Sequence, residues 1–276
     1  MTIKITTLLE NSPGEHLGLI HEHGLCFFIE TDECKILFDT GHSDSFLKNA
    51  EQLMLHPSQS DFVVLSHGHY DHSGGLRFLV EKTKTFKLFV GQGFFDEKYA
   101  CRGNAWEFLG NNFDRDYLEK KGIEYYEVEP GRSEIAPGIS VISGFPRIHE
   151  DEVINKRFKI RKNGVFTDDR FDDEVLLALD TPQGLIILLG CSHPGMKNMV
   201  DRAIELTGKD VYAILGGTHL VEAGPENLQE SLAYLDSDSL KILGVSHCTG
   251  SRATGMLEQS NGRYYHNRTG SCLILD

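Results

Sequence analysis

The run Ser66-His67-Gly68-His69-Tyr70-Asp71-His72-Ser73-Gly74-Gly75 restricts what this chain can become more than any other stretch. Four potential metal ligands fall within six positions, in the pattern His-x-His-x-Asp-His. The apolar residues Phe62-Val63-Val64-Leu65 lead into the run as a strand, and Gly74-Gly75 opens a helix over 76–82. His67 and His69 are two positions apart, so an extended loop aims both imidazoles the same way. The turn that follows can aim Asp71 and His72 at a second point nearby. Imidazole nitrogens with one carboxylate suit zinc, with iron or manganese as alternatives. A solvated loop could also be rich in histidine, but three His and one Asp between a strand and a helix favour a metal loop.

The loop resembles the signature of the metallo-β-lactamase superfamily, in which the first two histidines bind one metal and the Asp and last histidine bind the other. Further segments narrow the resemblance: Ile36-Leu37-Phe38-Asp39-Thr40-Gly41, Leu189-Gly190-Cys191-Ser192-His193-Pro194-Gly195, Gly216-Gly217-Thr218-His219-Leu220 and Ser246-His247-Cys248-Thr249-Gly250. Together they are similar to the branch called metal-dependent hydrolases of β-lactamase superfamily II. Some members of that branch are labelled as synthases of a dihydropterin ribofuranosyl-aminobenzene phosphate, a methanopterin precursor. The resemblance spans 3–275. It implies an α/β fold, a metallo-β-lactamase-like αββα sandwich with two mixed sheets face to face and helices outside. It also implies one domain over 1–276 with a family-specific insertion around 91–173.

The same resemblance assigns the site. His67, His69 and His193 would hold one metal, and Asp71, His72 and His247 the other. Asp39 would fix the metal loop by hydrogen bonds without binding metal, because a ligating imidazole needs its other nitrogen held. Many relatives carry a bridging Asp after a Gly at a strand end. Here Gly190 is followed by Cys191 and Gly216 by Gly217, so no Asp stands at either place. Cys191 or His193 then occupies the expected position, Cys191 otherwise lying behind the ligands as Asp39 does. His219 is a further ligand or a substrate contact.

Two zinc ions would make a metal-bound hydroxide available near neutral pH for attack on an ester, lactone, amide or phosphoester. Asp71 is the candidate catalytic residue, able to hold the proton. Arg147 is the candidate for a substrate phosphate or carboxylate, since Arg offers a planar fork of donors. A small-molecule hydrolase is the leading reading. A synthase acting on pterin and aminobenzene precursors is the second, and a non-catalytic metal-binding or regulatory protein the third.

Charge narrows the partners. The formal net charge is −14, which argues against a nucleic acid held by a general basic surface and leaves room for a small anion held locally. The six cysteines include no Cys-x-x-Cys pair and read as reduced, mostly buried residues. The first residues show no signal-peptide pattern and no stretch approaches a membrane span, so a cytoplasmic enzyme is expected. Oligomeric state leaves no mark in the sequence.

Along the chain, strands are expected over 4–10, within 17–31, and over 35–38, 61–66 and 87–90, with a helix over 43–54 capped by Ser43. His21 and His23 share i, i+2 spacing, and His23 is the better candidate to line the site. The middle, 91–173, is rich in aromatics and charge, with a helix over 116–121 and strands over 123–128 and 139–143. Its polar stretch 156–170 reads as a mobile loop or lid, and His149 as a surface residue. The last hundred residues pair a hairpin, 174–180 with 185–189, and then repeat one unit: apolar strand, small-residue turn with a His, helix. The helices fall over 196–207, 225–235 and 253–259, the strands over 211–215, 240–245 and 272–275.

Overall fold

The computed structural model describes residues 2–16, 18–260 and 262–275. Leu17, where the expected apolar stretch begins, lies outside the described residues. The apolar runs become strands of two facing mixed sheets. The first holds β1 (Ile3–Leu9), β2 (Cys26–Glu30), β3 (Lys35–Phe38), β4 (Phe62–Val64), β5 (Lys87–Gly91), β8 (Glu124–Val128) and β17 (Cys272–Leu275), in the order β17-β1-β2-β3-β4-β5-β8. The second holds β9 (Gly131–Ala136), β10 (Ile139–Ser143), β13 (Val175–Thr181), β14 (Gly184–Leu189), β15 (Val211–Gly217) and β16 (Ile242–Ser246), in the order β16-β15-β14-β13-β10-β9. In each sheet the strands that deliver site loops are parallel neighbours: β3, β4 and β5 in the first, β14, β15 and β16 in the second.

Period-two alternation sorts the side chains into layers. Ile5, Phe27, Ile29, Ile36, Phe38 and Val64 point inward and meet Val141, Leu177, Leu179, Ile186, Leu188 and Leu215 between the sheets. Helices cover the outer faces: α1 (Ser45–Gln52), α2 (Tyr70–Ser73), α3 (Leu76–Val80) and α4 (Arg115–Lys121) on one side, and α5 (Met196–Thr207), α6 (Pro225–Tyr234) and α7 (Gly250–Ser260) on the other. Phe46 and Ala50 of α1 and Leu76, Leu79 and Val80 of α3 pack on Phe28, Leu37, Val63 and Leu88. Met199, Val200 and Ala203 of α5 pack on Ile187, Leu189 and Ile214. The result is the αββα sandwich. No helix among the described residues is long and apolar enough to cross a membrane.

The middle region departs from its reading as one insertion. β8 joins the first sheet, and β9 and β10 the second. The remainder makes a third sheet, β12-β11-β6-β7, from β6 (Glu97–Arg102), β7 (Ala105–Phe108), β11 (Phe158–Lys162) and β12 (Val165–Asp168). The stretch expected as a mobile loop or lid is therefore the β11–β12 hairpin. It reads as a loop because its outer face is solvated and held by ion pairs, Lys159 with Asp168 across the hairpin and Arg161 with Glu97 of β6. The N-cap position of α1 is Asp44, one residue past the expected Ser43, but the Ser43 hydroxyl accepts the Ser45 N–H at 3.1 Å and also bonds the Glu22 carboxylate at 2.8 Å.

Candidate metal centre

The site forms where parallel strands end. β4 runs into His67, His69, Asp71 and His72; β14 into Cys191 and His193; β15 into His219; β16 into His247. Four non-glycine residues at these turns have left-handed backbone: Asp39 (φ 58°), Ser192 (63°), His219 (53°) and His247 (54°). Such conformations cost of order 1 kcal/mol or more each and persist only where the surroundings impose them. At Ser192 and His247 buried carboxylates hold them, while Asp39 N–H bonds the Val64 carbonyl (2.8 Å) and His219 N–H the Cys248 sulfur (3.2 Å). Glu174 accepts the backbone N–H groups of Cys191 (3.2 Å), Ser192 and His193 (2.8 Å), and Glu10 accepts that of His247 (2.7 Å). Burial lifts the Glu174 carboxyl to about 8, against those N–H groups, which lower it.

The imidazoles gather into two adjoining clusters. In the first, the Nε2 atoms of His67, His69 and His193 are buried and have no hydrogen-bond partner, and their ligand atoms lie within 4.8 Å of one another. Ser66 Oγ donates to Asp39 Oδ2 (2.8 Å), so it accepts from His67 Nδ1 (3.0 Å), which leaves His67 Nε2 bare. Phe171 stacks on His193 at 3.8 Å between ring centroids, and Phe158 stands 5.0 Å from the same ring.

In the second cluster, Asp71 Oδ2 lies 3.5 Å from Nε2 of both His72 and His247. His72 Nδ1 donates to Asp39 Oδ2 (2.6 Å) and His247 Nδ1 to Asn11 Oδ1 (2.9 Å), an oxygen that also accepts Gly24 N–H (3.1 Å). Both rings therefore carry their proton on Nδ1 and present Nε2 lone pairs to each other, 3.1 Å apart. Two lone pairs at that separation call for a cation or an extra proton between them. Orphaned buried nitrogens, a fixed tautomer and one carboxylate fit a divalent metal at each cluster.

The clusters differ in how they hold protons. Burial holds His67, His69 and His193 well below the ordinary imidazole range. Burial opposes charge on His72 too, but Asp71 and Asp39 outweigh it and raise that ring to about 9. A metal at His72 must displace this proton, so its affinity falls at least about tenfold per pH unit below that value, while the trihistidine cluster is unaffected until well under 6.5. Titrated from pH 8 to 6 at limiting zinc, the second ion should weaken at least about a hundredfold and leave first. Equilibrium dialysis with metal analysis reads the order of loss; simultaneous loss would contradict this assignment.

The clusters open on a cavity of about 340 Å³ lined by His23, His69, Asp71, His193, His219 and His247 together with Arg102, Glu107, Arg157 and Phe158. His23 reaches Asp71 Oδ2 at 3.1 Å while remaining largely exposed. His219 lies at the rim, with Glu222 at 3.5 Å and its ring centroid 4.3 Å from that of His193. Arg147 is not among the lining residues; its guanidinium donates to the Arg170 carbonyl. Arg102 and Arg157, which the sequence reading passed over, are the cations at the cavity, and their place in a polar stretch gave no signal. His149 pairs with Asp201 at 2.6 Å, away from the centre.

The metallo-beta-lactamase superfamily model matches residues 20–85. The chain is 34% identical over 272 residues to 7,8-dihydropterin-6-methyl-4-(beta-D-ribofuranosyl)-aminobenzene-5'-phosphate synthase of Methanocaldococcus jannaschii, covering 92% of this chain and 90% of that one. This chain belongs to the metallo-β-lactamase superfamily. An uncharacterized protein of the same organism is 32% identical, over 88% of this chain and 90% of its own length. Among solved structures, a metal-dependent hydrolase of the β-lactamase superfamily superposes with a TM-score of 0.86 at 26% identity, over 98% of both chains. Within the superfamily fold, the strand-end histidines described above converge on one centre.

Proposed function

We propose that this chain is a metal-dependent hydrolase of a small anionic substrate. The observation that supports it most is the pair of imidazole clusters, one with three buried unpartnered nitrogens, at a cavity that Arg102 and Arg157 also line. A divalent cation bound there supplies a Lewis acid and a water acidified to a pKa of about 7. The chain's own residues do the rest. His67, His69 and His193 would hold one cation, Asp71, His72 and His247 the other. Asp71 also accepts the His23 N–H, and His23 reaches solvent, so a proton taken at Asp71 has a route out. Arg157 stacks over Phe158 at 4.3 Å and pairs with Glu222 at 2.5 Å, which fixes one edge of its guanidinium at the cavity wall. Phe158 and Phe171 shield the trihistidine cluster from bulk water.

A second reading, a synthase acting on a phosphorylated pterin–aminobenzene compound, is supported by the 34% identical relative. The cavity wall gives it less support. Apart from histidines, its aromatic lining residues are Tyr70 and Phe158, and Trp106, Phe108 and Phe166 are 46%, 50% and 40% exposed.

Chelator-sensitive turnover of generic phosphodiesters, lactones and thioesters tests the hydrolase. His67→Ala and Asp71→Ala should each lower kcat/KM by at least about a hundredfold, more than is typical for loss of an outer partner of a metal ligand. Variants that match the unaltered chain on every substrate would end the hydrolase reading. A pterin retained through purification would favour the synthase.

A further inference from the structure

We propose that the Cys191 thiolate is the fourth protein ligand at the second cluster, completing an Asp71–His72–Cys191–His247 set. The inference rests on the reading of this centre as a metal site. Cys191 Sγ lies 3.2 Å from His72 Nε2 and 3.4 Å from His247 Nε2. Those nitrogens are 3.1 Å apart, and Asp71 Oδ2 is 3.5 Å from each. Four ligands around zinc at tetrahedral angles, with bonds of about 2.0–2.3 Å, have ligand-to-ligand edges of about 3.3–3.8 Å. Five edges of that tetrahedron are thus already in place, to within a few tenths of an ångström, from side chains on three separate segments.

Three potential donor atoms, the Cys191 sulfur and the Nε2 atoms of His72 and His247, face one another at 0% to 6% exposure, where a single cation would meet all three. His67, whose Nε2 is buried and unpartnered, belongs to the same close group as Cys191 and His72, so the sulfur faces both clusters. The mount is rigid. Cys191 follows β14, its N–H is held by Glu174, and Gly190 lets that strand end press on the metal loop, where a Cβ would stand 2.1 Å from Ser66 Oγ. On binding, the thiol releases its proton to solvent and the sulfur lone pair forms the metal bond. Thiolate softness selects zinc, cobalt or cadmium over magnesium, calcium or manganese.

The test is the full chain loaded with two equivalents of cobalt(II). A sulfur-to-cobalt charge-transfer band in the near ultraviolet, present in the unaltered chain and in Cys248→Ser and lost in Cys191→Ser while the visible cobalt bands persist, supports the proposal. Cys191→Ser should also weaken the second ion by at least about tenfold. Visible bands without charge transfer in the unaltered chain would overturn sulfur ligation and leave the metal centre standing. A charge-transfer band that survives Cys191→Ser would assign the sulfur elsewhere and overturn it. No cobalt bands at all would overturn the metal-centre reading itself. Zinc-edge X-ray absorption on the unaltered chain reads a sulfur neighbour directly and needs no variant to fold.

Discussion

Replacing Lys98 by methionine is expected to destabilise the chain by about 3–5 kcal/mol, the typical result of stranding buried charge. Lys98 is 1% exposed. Its ammonium donates to Asp169 Oδ2 at 2.7 Å and Asp173 Oδ1 at 2.8 Å. Burial opposes its charge, but the two carboxylates outweigh burial and lift it above the ordinary lysine range. Each carboxylate has a second duty. Asp173 Oδ2 accepts Gly68 N–H (2.8 Å), between the first two histidines of the metal loop. Asp169 Oδ1 accepts Phe171 N–H (2.8 Å), which seats the ring that stacks on His193. The loss should therefore include metal affinity as well as stability. In a chain of this length the melting temperature should fall by roughly 10 °C. The sign with pH follows. Burial raises the Asp169 carboxyl and the ammonium opposes that, so without the ammonium the deficit is greatest where Asp169 is ionised and shrinks as acid protonates it. Asp169→Asn in the Lys98→Met background should recover part of the loss. Urea unfolding at two pH values reads both effects, and a change under 1 kcal/mol at neutral pH would refute the assignment.

Asp39→Ala should weaken the second ion by about 10–100-fold without removing a ligand. Asp39 is fully buried and makes three bonds in the left-handed region: to Ser66 N–H (2.7 Å), Ser66 Oγ (2.8 Å) and His72 Nδ1 (2.6 Å). Its loss frees the His72 ring to take the other tautomer, turning Nε2 from acceptor to donor, and loosens the serine that orients His67. Isothermal titration with zinc should show the tighter equivalent changed less than the weaker one. Asp39→Asn keeps an oxygen for His72 but drops the charge that holds the proton on Nδ1, and should fall between. An unaltered second equivalent in the alanine variant would show that Asp39 does not set that tautomer.

The sequence exposed the residues that strand ends deliver, and little of what holds them. His67, His69, Asp71, His72, His193, His219 and His247 stand in short motifs after apolar runs, and parallel β4, β14, β15 and β16 bring those motifs to one edge. Lys98 and its two aspartates sit 71 and 75 residues apart in a stretch without clear periodicity, where a charged residue reads as solvated. Glu174 looks like the polar first residue of a strand, and only the fold shows three N–H groups converging on it. The hairpin 158–168 was legible as polar but not as strands, because ion pairs stand where alternation would place apolar residues. Arg147 had the right chemistry and the wrong place. Of the cations that line the cavity, Arg102 ends β6 and Arg157 immediately precedes β11, two strands whose pairing joins distant stretches of the chain.

Anomalous diffraction at the zinc edge, from crystals of the full chain grown with zinc near pH 8, tests the account most directly. Two peaks are expected within bonding distance of protein atoms: one at the Nε2 atoms of His67, His69 and His193, the other at Asp71, His72 and His247 with the Cys191 sulfur. A zinc-replete crystal with no peak among these side chains, or with its only peaks at surface carboxylates, would contradict it.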